Sequence, residues 1–302
     1  MKPNSCYNQY MQHIIPHLWY DKQAKEAAEL YTSLFPDSKV NNVTTIHDTP
    51  SGDADTVSFT LAGQKFMAIS AGPYFTFNPS ISLFVTFENE AEIDAVWTKL
   101  VEGGKVMMEY QAYPWATKYG WLQDKYGLSW QLSLSENHQT DQRITPLLMF
   151  TKGNAGKAQE ALDFYTGLFP NSSIDLVSKY EEGQGDVVGY INHARFTLNG
   201  SHLMMMESSG PHDFTFNEAF SLIIKCETQE EIDKYWAALS VVPEAEQCGW
   251  LKDKYGVSWQ ITPTAMDRMM SEGSPEQIAR VTKSFLQMKK FDIAKLEEAY
   301  NG

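Results

Sequence analysis

One twelve-residue string occurs twice in this chain. Gly120-Trp121-Leu122-Gln123-Asp124-Lys125-Tyr126-Gly127-Leu128-Ser129-Trp130-Gln131 returns as Gly249-Trp250-Leu251-Lys252-Asp253-Lys254-Tyr255-Gly256-Val257-Ser258-Trp259-Gln260, differing only where Gln123 becomes Lys252 and Leu128 becomes Val257. A run holding two tryptophans at one spacing does not recur by chance. The chain is a tandem duplication, and any function must account for two copies of one site. Other blocks repeat in the same order. Tyr31-Thr32-Ser33-Leu34-Phe35-Pro36 matches Tyr165-Thr166-Gly167-Leu168-Phe169-Pro170, and Phe75-Thr76-Phe77-Asn78 matches Phe214-Thr215-Phe216-Asn217. The offset drifts between 129 and 139, so insertions fall between matched blocks. That is the pattern of two whole domains rather than of a short solenoid repeat.

Composition narrows the partners. The 302 residues carry 24 basic and 38 acidic side chains, a net charge of −14. General nucleic-acid binding and attraction to anionic membranes both need basic patches, and the sequence has no Lys/Arg run to build one. No apolar run approaches a membrane span, and Met1 to Gln12 is polar where a signal peptide would need an apolar core. Cys6, Cys226 and Cys248 do not make a disulfide framework, so a cytoplasmic location is expected.

Each half alternates helical and strand periodicity in one order. Ala24, Ala27, Ala28, Tyr31 and Leu34 follow helical spacing, as do Ala158, Ala161, Leu162, Tyr165 and Leu168. A second helix in each half is marked by Ile93, Val96, Trp97 and Leu100, and by Ile232, Tyr235, Trp236 and Leu239. Period-two stretches such as Ile81 to Phe87 read as strands, and Asn199-Gly200 reads as a hairpin turn. The order predicts an α+β fold. Each tandem domain holds two βαβββ modules, forming a curved eight-stranded sheet whose helices cover one face and whose other face closes into a cup. The domains span residues 1–136 and 143–265, with Ser135 to Gln142 as linker. A helical tail at 274–302 has Ser274 as N-cap with Pro275 at the first helical position, and Asp292 capping a last helix. The tail is expected to pack on a domain or on a second subunit.

These patterns carry a resemblance. The strand-helix-three-strand order, Pro16-His17-Leu18-Trp19-Tyr20, Leu34-Phe35-Pro36 and the doubled Gly-Trp-Leu-x-Asp-Lys-Tyr-Gly-x-Ser-Trp-Gln resemble the vicinal oxygen chelate superfamily of glyoxalases, bleomycin-resistance proteins and extradiol dioxygenases. More narrowly they are similar to its PhnB-like subgroup, often labelled 3-demethylubiquinone-9 3-methyltransferase. The resemblance covers nearly the whole chain. It implies cup-shaped small-molecule sites and a pseudo-dimer within the chain, with a further homodimer as an option. It does not specify a reaction.

Strand parity selects the site residues. Along the last strand of each domain, Trp130 and Trp259 fall on the helix side, while Ser129, Gln131, Ser258 and Gln260 fall on the cup side. Where the resemblance implies a metal-binding Glu, both copies hold Gln, which brings no charge to a divalent cation. His17 faces the cup, but its counterpart is Leu147, so a His-based site would exist in one copy. His193 is a candidate general base, more simply read as a strand histidine held by hydrogen bonds. Glu207 sits at a strand end, Cys248 reads as a cup-mouth thiol or, with no paired His in its sequence context, more simply as an inert one, and Trp121 and Trp250 are ring platforms for planar ligands. Gly183-Gln184-Gly185 lies between two strands, not before a helix, so it does not read as a methyl-donor loop.

Two readings of the cups follow. In the first, the protein binds a small organic molecule through His17, Trp121, Ser129, Gln131, His193, Glu207, Cys248, Trp250, Ser258 and Gln260, with no cofactor. In the second, His17 or His193 joins Gln131, Glu207 or Gln260 around a divalent metal in a lyase, isomerase or dioxygenase. Under either, one cup could work while the other is structural.

Overall fold

The computed structural model describes residues 14–49, 52–135 and 142–302. The N-terminal stretch considered above and most of the linker lie outside the described residues. The first repeat runs β1 (Ile14–Tyr20), α1 (Ala24–Leu34), β2 (Lys39–Thr49), β3 (Gly52–Leu61), β4 (Gln64–Ser70), β5 (Ile81–Phe87), α2 (Glu90–Leu100), β6 (Lys105–Tyr113), β7 (Ala116–Gln123) and β8 (Ser129–Leu134). The second runs β9 (Ile144–Phe150), α3 (Ala158–Leu168), β10 (Ser173–Lys179), β11 (Ile191–Leu198), β12 (Ser201–Glu207), β13 (Phe220–Cys226), α4 (Gln229–Leu239), β14 (Trp250–Lys252) and β15 (Ser258–Pro263). Three tail helices follow: α5 (Thr264–Glu272), α6 (Pro275–Phe285) and α7 (Ile293–Asn301). The α+β class and the repeated modules are those expected from periodicity.

The pairing of the modules is where the structure departs from that expectation. One sheet has the order β14-β15-β13-β1-β4-β3-β2 and the other β10-β11-β12-β9-β5-β8-β7-β6. Each sheet therefore joins the first module of one repeat to the second module of the other, through the antiparallel seams β1–β13 and β5–β9. Sheet edges pair through backbone groups that are alike in every strand, so side-chain periodicity assigns faces but not partners. Within a repeat the two modules meet instead through their helix-side cores. A reciprocal contact marks the pseudo-twofold relation: Asn78 Nδ2 donates to the Thr215 carbonyl (2.9 Å) and Asn217 Nδ2 to that of Thr76 (2.8 Å). A void of about 10 Å³ beside Pro16, Pro146 and Leu222 barely admits one water.

The first sheet has seven strands rather than eight. The chain between Leu239 and Trp250 is shorter than its counterpart between Leu100 and Trp121, and forms a turn at Pro243–Ala245 where the first repeat makes β6. The tail covers the edge left open. Cys248 N donates to the Met288 carbonyl (2.8 Å), Gly249 N to that of Lys289 (2.7 Å) and Gln247 Nε2 to that of Leu286 (2.9 Å). Unpaired strand edges invite aggregation; Val241 N and Gln247 N bond the Lys252 and Trp250 carbonyls of β14 itself, and the tail takes up the donors just before it. Phe285, Phe291 and Leu296 are buried, so the tail is part of the second repeat's core rather than an appendage. The Ser274 and Asp292 caps form as expected, with Gln277 N and Lys295 N as donors. Helix α5, between β15 and Ser274, has no counterpart among the described residues of the first repeat and was not expected from periodicity.

Candidate functional site

The doubled motif divides into a clamp and a cup lining. Asp124 is buried in the β7–β8 turn. Its Oδ2 accepts from the Tyr31 hydroxyl (2.6 Å) and Trp130 Nε1 (2.9 Å), and its Oδ1 from the backbone N–H of Tyr126 (2.8 Å) and Leu128 (3.1 Å). Asp253 repeats the set with Tyr165 (2.6 Å), Trp259 (2.9 Å), Tyr255 (2.9 Å) and Val257 (3.0 Å). Burial pushes both carboxyls above their usual range, while these bonds pull them part of the way back. Lys125 and Tyr126 both reach Glu26 on α1, and Lys254 and Tyr255 both reach Glu160 on α3. Most of the repeated string thus fastens the second module of each repeat to that repeat's first helix.

The remaining motif residues line the concave faces. In the second cup, on the sheet containing β5 and β9, the polar side chains around the motif's Ser129 and Gln131 satisfy one another. Trp121 Nε1 donates to Ser129 Oγ (2.8 Å), and the Ser129 and Ser82 hydroxyls lie 2.8 Å apart. The Tyr119 hydroxyl donates to Gln131 Oε1 (2.8 Å), and Gln131 Nε2 donates to Ser82 Oγ (3.3 Å). His193 lies 6.4 Å from Phe84, centroid to centroid, across the concavity. Burial, with the Arg195 charge adding to it, lowers its pKa to about 4.

The first cup, on the sheet containing β1 and β13, holds the same motif in other company. His17 is 4 % exposed and Trp250 packs edge-on to it at 5.3 Å. Trp19 meets Trp250 at 5.9 Å and Phe75 at 5.0 Å, and its indole N–H donates to the Gly72 carbonyl (2.8 Å). Gln260 Nε2 donates to Ser221 Oγ (3.0 Å). Two buried polar atoms here have no hydrogen-bond partner, His17 Nδ1 and Ser258 Oγ. Burial drives the His17 pKa down to about 3, so the ring is neutral at physiological pH.

Of the residues singled out from sequence, His17, Trp250, Ser258 and Gln260 come together in the first cup, and Trp121, Ser129, Gln131 and His193 lie on the second. Two are placed elsewhere. Glu207 is on the helix side of β12, where its carboxylate accepts from Ala158 N (3.0 Å) at the start of α3 and from Ile191 N (2.8 Å). The parity of β12 turns Met204 and Met206 to the cup and Glu207 away from it. Glu207→Ala is expected to cost about 2 kcal/mol of stability, since two buried N–H groups lose their acceptor; thermal or urea unfolding measures it. Cys248 turns to the tail, its thiol near the Phe285 carbonyl (3.5 Å), and burial raises its pKa, as for an inert thiol. Its counterpart Tyr119 supplies the second cup's bond to Gln131, so a single Tyr/Cys difference changes the polar closure of the two cups. Sequence reading missed Trp19, Ser82, Tyr119, Ser221 and Arg195. Parity along β5, β11 and β13 carries the signal, once the strand neighbours are known.

The donor sets do not fit a divalent metal. Among the described residues no three His, Cys, Asp or Glu side chains gather in one place. The first cup offers one imidazole and an amide already bonded to Ser221, and the second an imidazole beside the Arg195 cation, with Gln131 engaged at both ends. A catalytic zinc-type site needs three such ligands, and the charge of Arg195 opposes a cation.

Comparison with known proteins bears on both halves. The family model described as 3-demethylubiquinone-9 3-methyltransferase matches twice, over residues 12–133 and 142–262. A solved Bacillus cereus structure, described as a putative 3-demethylubiquinone-9 3-methyltransferase and PhnB protein, is 41% identical over 41% of this chain and 100% of its own, with a TM-score of 0.39. Glyoxalase I from Zea mays matches over 84% of this chain and 94% of its own at 11% identity and a TM-score of 0.52. A putative dioxygenase from Bacillus subtilis matches over 94% of both chains at 10% identity and a TM-score of 0.51. These last two show a shared fold and no more. No curated protein sequence matches.

Proposed function

Because the chain belongs to the 3-demethylubiquinone-9 3-methyltransferase family, the PhnB-like branch of the vicinal oxygen chelate superfamily, we propose that it is a small-molecule binding protein with its ligand seated on a concave sheet face. The family label names methyl transfer, and the structure gives no support to that reaction. Gly183-Gln184-Gly185 lies in the loop joining β10 to β11, with no helix N-terminus behind it to receive a donor's charged groups. No reaction is assigned.

The observation that carries the binding reading is the placement of buried polarity. The helix-facing sides of both sheets are mainly apolar, and buried polar groups there such as Ser70 and Glu207 serve as acceptors at the starts of α1 and α3, whereas His17, Ser82, Ser129, Gln131, Ser221, Ser258 and Gln260, all buried, stand on the concave sides among aromatic rings. Polar side chains cost free energy when buried, and a purely structural face would be apolar. Aromatic walls with a few convergent polar groups are the ordinary make-up of a small-molecule site. Both cups are completed within one chain, so the reading needs no second copy. Among the described residues no helix is long and apolar enough to cross a membrane. A reducing, cytoplasmic setting is supported by the free thiols of Cys226 and Cys248.

Native mass spectrometry of freshly purified protein, with thermal-shift screening against small aromatic and heteroaromatic metabolites, tests this. At least one adduct or stabilising compound is expected, and Trp121→Ala/Trp250→Ala should weaken its binding at least tenfold. Stabilisation that survives in the double variant, or none across the panel, overturns the reading.

A further inference from the structure

The two cups share a motif, but not its hydrogen-bond balance. In the second cup Leu147, Ser82 and Ser129 stand in register across three adjacent strands. The two serines bond each other, and Trp121 donates to Ser129. The pseudo-equivalent row in the first cup is His17, Ser221 and Ser258, again in register. There the tryptophan does not close the set. Trp250 lies edge-on to His17 and Trp19, which stand where the second cup has Leu147 and Met149. Ser258, 1 % exposed, keeps a hydroxyl without a partner, and so does His17 Nδ1 on the same face. Orphaned buried polar atoms are rare, and two in one row are costly to the fold unless something completes them.

We propose that the first cup is the working site, and that its ligand is an uncharged planar molecule whose hydrogen-bonding groups engage His17 Nδ1 and Ser258 Oγ while its ring lies against Trp19 and Trp250. The proposal rests on the binding reading above and adds which cup and which ligand chemistry. The charge state follows from the surroundings. Lys252 is in register with Ser258, but its ammonium is paired to Glu218 at 2.8 Å, and both are largely buried. The row therefore presents no free charge, and an anion or cation seated there would be desolvated without a counter-ion. His17 burial keeps the ring neutral, so Nδ1 offers one donor or one acceptor according to tautomer, and the serine hydroxyl supplies the complement.

Isothermal titration of the full chain with benzamide and with benzoate, its charged near-isostere, is the test. Benzamide is expected to bind saturably, benzoate at least tenfold more weakly. His17→Leu, which installs the second cup's residue, and Ser258→Ala should each weaken benzamide at least tenfold with the unfolding temperature held or raised, because each removes an unpaired buried group. Equal affinity for the two probes, unchanged affinity in both variants, or no saturable benzamide binding overturns the proposal. If other compounds bind in the thermal-shift screen while benzamide does not, the binding reading stands and this one falls.

Discussion

Asp124→Ala is expected to lower the free energy of unfolding by about 4 kcal/mol, and Asp253→Ala by a similar amount. Each carboxylate accepts four hydrogen bonds in a buried turn. Removing it leaves a tyrosine hydroxyl, an indole N–H and two backbone N–H groups without acceptors. Each such donor costs about 1–3 kcal/mol, and the small space vacated relieves part of that. Asp124→Asn should cost about half as much, because the amide oxygen still accepts while its NH2 faces two donors. Urea unfolding of the three proteins measures this, and a loss below about 1 kcal/mol for Asp124→Ala would show that the clamp is dispensable. The pH dependence has a definite sign. Burial raises the folded-state pKa of both carboxyls above the unfolded value, so their contribution is greatest below the unfolded pKa and declines as pH rises through the folded one. The opposite holds for Glu26 and Glu160, which hydrogen bonds from Lys125 and Lys254 hold below the usual range; their contribution is present above the unfolded pKa and is lost on acidification.

Gly249→Ala should cost about 3 kcal/mol and loosen the tail, against about 1 kcal/mol for Gly256→Ala. The two glycines have nearly the same backbone, φ +84° and +86°. A Cβ at Gly256 meets nothing within 4 Å, so only left-handed strain is added. At Gly249 it would lie 2.5 Å from the Phe291 ring and 2.8 Å from the Ile261 carbonyl. One neighbour is backbone in β15 and cannot give way, so the ring must move. With it go the bonds from Cys248 and Gly249 to the 288–289 carbonyls that cap the short β14 edge. Limited proteolysis should then cut between α6 and α7 in Gly249→Ala and not in Gly256→Ala. Equal stability of the two variants would mean that the tail is not seated through this contact.

Much of the site was legible because the period of a strand is two. Parity alone put Gln131, Gln260 and His17 on concave faces and Trp130 and Trp259 in the core, and the structure has them there. Glu207 and Cys248 were misplaced for different reasons. Strand parity sets Glu207 with Leu203 and Met205 on the helix side, but the cap that its carboxylate makes there becomes visible only once α3 is in place. Cys248 precedes the repeated tryptophan as Tyr119 does, yet it has φ +50° and turns toward tail helices that the first repeat lacks. The clamp role of Asp124 and Asp253 was only partly visible. Their turn-forming part follows from Asp and Gly spacing, but the tyrosine that completes each clamp lies far earlier in the chain, on the first helix of the repeat.

The duplication, the four modules, the apolar and polar faces of each strand and the tail caps follow from the amino-acid order, because they are local matters of periodicity, capping and repetition. Which module pairs with which, and hence which residues share a cup, was decided by tertiary structure. Strand edges join through backbone groups common to every residue, and only the packing of the helix-side cores brings β1 to β13 and β5 to β9. That pairing sets His17 of one repeat beside Ser221, Ser258 and Trp250 of the other, and it makes two copies of one motif into chemically different cups.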